Sequence, residues 1–146
     1  MSEEPSQKEL EEKLRTLVTE LRLLETTANE VQSRIGFANA ALRDLNLASA
    51  TIQGLEKLKK GNEILISVGG GSYIKAKLED TEKVITNVGS GVSLEKTRKE
   101  AAAFAEKNIA ELQKGGDQLQ SKLVQILQRM EVLRIEIQKI TTPEQT

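Results

Sequence analysis

The sequence predicts an α+β chain in which two long helices form an antiparallel coiled coil and are joined by two β-hairpins. Three observations carry this. Two segments place apolar residues at intervals alternating between four and three, which is the seam of a coiled coil. The stretch between them, from Ile64 to Leu94, switches to an alternation of two, the period of a half-buried strand. Charged residues make up 29 % of the 146 positions and aromatic ones only 2 %, with Phe37, Tyr73 and Phe104 the whole inventory. Leu, Ile, Val and Ala supply the rest of the apolar content, the composition of seamed helices and not of a compact core.

The first helix is expected over 6–60. Ser6 can cap it, with Glu9 three residues on. Its seam runs through 10, 14, 17, 21, 24, 28, 31, 35, 38, 42, 45, 49 and 52, and only Ser49 is not apolar. Lys57, Lys59 and Lys60 suit the negative end of a helix dipole, and Gly61 offers a left-handed exit. The hairpins are expected over 62–94. Ile64 to Val68 and Ser72 to Leu78 flank Gly69-Gly70-Gly71; Lys83 to Val88 and Val92 to Leu94 flank Gly89-Ser90-Gly91. The second helix is expected over 94–142, with Ser93 as cap and Pro143 as stop. Its seam runs from 102 to 140, with Gly116 the one residue that is not apolar. Residues 1–5 and 143–146 read as flexible tails.

If the helices fold back on each other, Leu14 faces Ile140, Leu21 faces Leu133, Leu24 faces Met130, Val31 faces Leu123, and Leu45 faces Ile109. Every layer then sets an a position against a d position, as an antiparallel pair requires; pairing of each helix with other chains is the alternative. One layer sets Ala38 against Gly116, with Gly36 and Gly115 beside them. It is either a soft point or a close approach of the two helices.

Two hairpins cannot close a sheet on themselves, so their apolar faces and edges need cover, most simply from other subunits. The expected assembly residues are Ile64, Ile66, Val68, Tyr73, Ile74, Leu78, Val84, Ile85, Val88 and Val92. A second candidate surface lies at the free end of the helix pair. There the off-seam residues Val18, Leu23, Val132 and Ile135, with Leu127 a turn or two further in, join Leu10, Leu14, Leu17, Leu133, Ile137 and Ile140 in an apolar strip suited to binding apolar segments of other chains. Incidental surface aliphatics are the competing reading.

Chemistry is hard to place. The chain has no cysteine and no histidine, which removes thiolate chemistry, the usual transition-metal ligands and the commonest general base. Gly69-Gly70-Gly71 with Lys75 lacks the spacing of a phosphate-binding loop and runs into a strand instead of a helix. The carboxylates are scattered over polar helix faces, where pairs such as Glu9 with Lys13 are expected. No enzyme activity, cofactor or metal is expected. A net charge of −1 gives no reason to expect nucleic acid or membrane as a partner. A polar N-terminus and the lack of a long apolar run point to the cytoplasm.

The layout, and above all Ile64-Leu65-Ile66-Ser67-Val68-Gly69-Gly70-Gly71-Ser72-Tyr73-Ile74-Lys75-Ala76-Lys77-Leu78, Lys83-Val84-Ile85, Val88-Gly89-Ser90-Gly91 and Leu94-Glu95-Lys96, resembles the alpha-class subunit of prefoldin. Ser67 and Val92-Ser93 depart from residues often found in that family. The resemblance implies a hexamer of two alpha-class and four beta-class subunits, whose hairpins build an intersubunit β-barrel platform carrying coiled-coil arms. It implies capture of unfolded proteins at the arm tips without ATP, and their delivery to a group II chaperonin. A filament-forming structural relative is the alternative.

Overall fold

The computed structural model describes residues 4–142. Helix α1 spans Gln7–Gly54 and helix α2 spans Arg98–Thr141; between them lie β1 (Glu63–Gly69), β2 (Ser72–Lys77), β3 (Lys83–Gly89) and β4 (Val92–Thr97). The chain divides into two compact units. A terminal unit comprises the helical segments up to Asn39 and from Lys114 onward, and a hairpin unit comprises Ala40–Gln113.

In the terminal unit the seam closes within the chain. Ala28, Val31, Ile35, Ile126 and Met130 form a buried cluster, and Leu21, Leu24, Leu119 and Leu123 pack against it. These are the layers that antiparallel pairing predicts. Arg129 crosses from α2 to α1, its Nε donating to Glu20 Oε1 at 2.9 Å and its Nη2 to Oε2 at 3.2 Å. The expected contact between Glu9 and Lys13 is not among the ion pairs of the described residues. Threonines are accommodated in α1 because Thr16, Thr19, Thr26 and Thr27 each donate their hydroxyl to the carbonyl one turn back. The Ala38/Gly116 layer is half-buried. A methyl group built on Gly36, Gly115 or Gly116 meets nothing within 4 Å, so no close helix approach demands glycine here.

In the hairpin unit the break at Ser49 has a physical account. Ser49 is buried on the seam, where Ala101 and Ala105 are also buried. Gln53 Nε2 donates to Ser49 Oγ and to Glu106 Oε1, both at 3.4 Å, so small residues on the two helices leave room for a polar link.

Ser6 caps α1 as expected, accepting the Glu9 N–H at 3.2 Å. The far end of that helix differs from the expected 6–60. After Gly54 it tightens into a 3₁₀ turn over Leu55–Lys57, and Leu58 is extended. Lys59 and Lys60 therefore leave the helix. Asn62 Oδ1 accepts the Lys59 N–H at 2.6 Å. Gly61, at φ 89°, donates to the Leu78 carbonyl at 2.7 Å, and Leu78 donates back to the Asn62 carbonyl at 2.9 Å. These bonds extend the β1–β2 ladder and end the helix early.

The second helix likewise starts at Arg98, not 94. Ser93 lies inside β4, paired with Asn87, and cannot cap. Thr97 does so instead: Glu100 N–H donates to Thr97 Oγ1 at 3.2 Å while Thr97 N–H donates to Glu100 Oε2 at 3.4 Å, a reciprocal capping box. The strands thus fill 63–97 where 62–94 was expected. Of the expected tails, residues 1–3 and 143–146, with the Pro143 stop, lie outside the described residues.

The two hairpins form separate two-stranded antiparallel sheets. They repeat one another. Glu63↔Lys77, Ile64↔Ala76, Leu65↔Lys75, Ile66↔Ile74 and Ser67↔Tyr73 become Lys83↔Thr97, Val84↔Lys96, Ile85↔Glu95, Thr86↔Leu94 and Asn87↔Ser93, with a bulge at the same place, Val68 and Val88. Each closes through two left-handed residues, Gly70-Gly71 and Ser90-Gly91, the conformation that matches strand twist in a tight hairpin.

Candidate functional site

The described structure leaves apolar side chains uncovered on two surfaces. On the first hairpin, the cross-strand pairs Ile64/Ala76 and Ile66/Ile74 share one face, and Leu65 and Tyr73 lie on the other. Ile66, Val68, Tyr73 and Ile74 are exposed, while Ile64 and the neighbouring Leu78 are half-buried. On the second hairpin Val84 and Val88 are half-buried, whereas Ile85, 78 % exposed, and Val92 face solvent. The expected assembly residues therefore do not form a single face: Tyr73 and Ile85 point away from Ile64, Ile66, Ile74 and Val84. Leu65 and Leu94 belong to this exposed set and were missed. The signal for Leu65 is its place two residues from Ser67, on the face of Tyr73.

Electrostatics on the hairpins is modest. Lys75 Nζ lies 3.8 Å from Glu63 Oε1 across the strands, both well exposed. Asp80, in the turn linking the hairpins, accepts the Glu82 N–H at 2.8 Å and the Lys83 N–H at 3.3 Å. The first of these bonds chiefly holds its carboxyl below the usual value.

The second surface is on the terminal unit. Leu23 (65 % exposed), Val132 and Ile135 are open to solvent. Val18 and the seam residues Leu10, Leu14, Ile137 and Ile140 are half-buried. Leu17, at 6 %, and Leu133, at 0 %, are core. They are corrected from strip to seam, because residues at a and d positions are covered by the partner helix before they can serve a ligand. Leu127, expected with the strip a turn or two further in, is exposed, and Phe37 and Val124 are further exposed apolar residues outside it. Leu127 borders an open groove of about 330 Å³ with Glu25, Ala28, Asn29, Gln32, Met130 and Arg134. The methyl side chain of Ala28, at a seam position where the neighbouring layers carry larger residues, leaves that space.

In the Glu20–Arg129 pair the guanidinium hydrogen bonds hold the Glu20 carboxyl below its ordinary value. No helix among the described residues is long and apolar enough to cross a membrane.

Comparison with known proteins agrees with this geometry. The family profile described as "Prefoldin subunit" matches residues 24–142. A putative prefoldin subunit alpha from Aquifex aeolicus is 33 % identical over 94 % of this chain and 93 % of its own. Prefoldin subunit alpha from Methanopyrus kandleri is 29 % identical over 84 % of this chain and 78 % of its own. Among solved structures, the cryo-EM structure of filamentous PFD from Methanocaldococcus jannaschii superposes with a TM-score of 0.67 at 25 % identity, covering 81 % of this chain and 98 % of that one. Prefoldins are a family of non-enzymatic chaperones that form oligomers with other prefoldin subunits. The chain belongs to the prefoldin family, as an alpha-class subunit.

Proposed function

We propose that this chain is the alpha-class subunit of a cytoplasmic, ATP-independent holdase. Its hairpins join those of beta-class subunits, two alpha with four beta, in an intersubunit β-barrel, and the free ends of its helices capture unfolded proteins for delivery to a group II chaperonin. The observation that carries the capture step is the exposure of Leu23, Val132 and Ile135 on a unit whose own seam is already closed. Such side chains gain roughly 1.5 to 3 kcal/mol each on full burial, so contacts weak one by one add up when several arms share a platform.

The test is aggregation of a denatured model protein in the presence of the assembly. Removing Met1 to Leu23 and Val132 to Thr146, with matching truncation of the beta-class partners, should leave the assembly intact and abolish suppression. Full suppression by the truncated assembly would move client binding to the shafts or the platform. A second reading, a filament whose hairpins polymerise, is favoured by the likeness to a filamentous relative. Light scattering separates a closed hexamer from an open fibre.

A further inference from the structure

The two hairpins share a backbone but not a surface. In β1, Ile66 and Val68 are 44 % and 57 % exposed, whereas Thr86 and Val88, at the same places in the repeat, are half-buried, and β3 alternates exposed and half-buried along its whole length. On the face shared by Ile64, Ile66, Ile74 and Ala76, the first hairpin is apolar throughout. The second carries Val84, Thr86, Leu94 and Lys96 there.

Lys96 is not free. Its ammonium lies 4.5 Å over the ring of Phe104 on α2, an attraction between a cation and the negative face of the ring. The start of the second hairpin is also tied to that helix end by a side chain, Arg98 Nη1 donating to the Thr81 carbonyl at 3.4 Å, whereas the Arg98 N–H bond to the Glu82 carbonyl at 2.8 Å repeats that of Leu78 to Asn62 in the first hairpin. Ala76, the counterpart of Lys96, has no atoms with which to reach a ring. The bonds that flank the first hairpin, between Gly61, Asn62 and Leu78, only extend its own ladder and involve no helix side chain.

We infer that the first hairpin is the primary docking surface for a neighbouring prefoldin subunit, and that the second is engaged by its own chain through the Lys96–Phe104 contact. The inference rests on the assembly reading above and adds an order to it: contact through β1 and β2 forms first and breaks last. The occupant is a strand-bearing surface, a hairpin of the neighbouring subunit. β1 and β2 each have a single hydrogen-bonded neighbour, and only another strand can satisfy their outer edges while covering the apolar face. A newcomer at the second hairpin has to displace Lys96 from Phe104 and bury the Thr86 hydroxyl, both unfavourable.

The experiment compares equivalent substitutions. Ile66→Asp and Thr86→Asp chains, each checked for intact helix signal, are mixed with beta-class subunits and followed by sedimentation and native mass spectrometry across a dilution series. Ile66→Asp should raise the concentration for half-assembly by about a hundredfold or more, and Thr86→Asp by about threefold at most, because only the former buries a charge in a fully apolar face. Where aspartate disturbs a hairpin, Ile66→Ala and Thr86→Ala replace the pair, with expected shifts of about tenfold and under about twofold.

Amide exchange of the isolated chain gives an independent reading. β3 and β4 should exchange more slowly than β1 and β2, and Phe104→Ala should remove that difference without weakening assembly. Equal effects of the paired substitutions, or a larger one at Thr86, would overturn the order. So would protection of β1 and β2 by an unfolded client in place of the neighbouring subunit. No effect of either substitution would remove the hairpin assembly reading itself, and the inference with it.

Discussion

The helix pair and the hairpins handle apolar residues in opposite ways. In the terminal unit the large seam residues are half-buried or buried by the chain itself, down to a fully buried Leu133, and a bidentate Glu20–Arg129 bridge links the two helices. In the hairpin unit Leu65, Ile66, Tyr73, Ile74 and Ile85 remain open, and each sheet has only two strands. The difference separates what one chain can finish from what it leaves for others. A two-helix seam needs only a partner helix, whereas a two-stranded sheet is marginal until a further layer or strand covers it.

The largest expected effect breaks that comparison at the hairpins. Replacing Ile66 and Val84 together by Asp should abolish assembly with beta-class partners while leaving the helical circular dichroism of the single chain nearly unchanged, since the seams do not depend on the sheets. Loss of helix signal along with assembly would mean that the two regions fold as one.

A smaller effect tests the terminal unit against itself. Leu133→Ala should destabilise the helix pair by about 2 to 5 kcal/mol in thermal or urea melts, as a buried leucine leaves a cavity. Leu23→Ser with Val132→Ser and Ile135→Ser should shift the melt by only about 0.5 kcal/mol per site yet weaken aggregation suppression. If the serine set melts as early as the alanine variant, the exposed residues are structural.

Gly116→Ala sharpens the comparison within the seam. With open space around the added methyl, the substitution should stabilise the pair by about 1 kcal/mol in the same melts. A lower melting point would mean that the helices close on this layer.

The smallest effect is electrostatic. Arg129 holds the Glu20 carboxyl below its ordinary value of 4.5, so the pair contributes fully above that value and fades as pH falls through the lower, folded one. Glu20→Gln should therefore lower the melting point slightly at neutral pH, screened by salt, and the gap to the parent should close in acid. A gap that persists at acid pH would assign the effect to packing of the side chain.

Much of the fold was legible because helices announce themselves by period. Leu17 and Leu133 both sit on the seam by spacing, and a seam position is buried before it is available to a ligand. The starts and stops were harder. Val92-Ser93-Leu94-Glu95-Lys96-Thr97 has no helix breaker, so the strand merges by eye into the helix that follows. Yet Thr97 and Glu100 stand at capping-box spacing and mark the boundary. Lys59 and Lys60 looked like the end of a helix because nothing local reveals that Asn62 and Leu78 will pull them into a turn. The duplication of the hairpins is visible in Val68-Gly69 and Val88-Gly89, but the unequal exposure of the two copies is a property of packing, beyond the reach of spacing.

The junction at Thr97 has a mechanical and evolutionary consequence. β4 ends at Thr97 and α2 begins at Arg98 with no residue between, whereas α1 reaches β1 through a turn that includes the left-handed Gly61. One residue inserted after Thr97 would rotate the following helix by about 100° and carry Ala101 and Ala105 off the seam, while an insertion between Leu58 and Asn62 only lengthens a loop. Length variation among descendants of this chain should accumulate at the first joint and be purged at the second, so that the phase of α2 against its hairpin is inherited as a fixed angle.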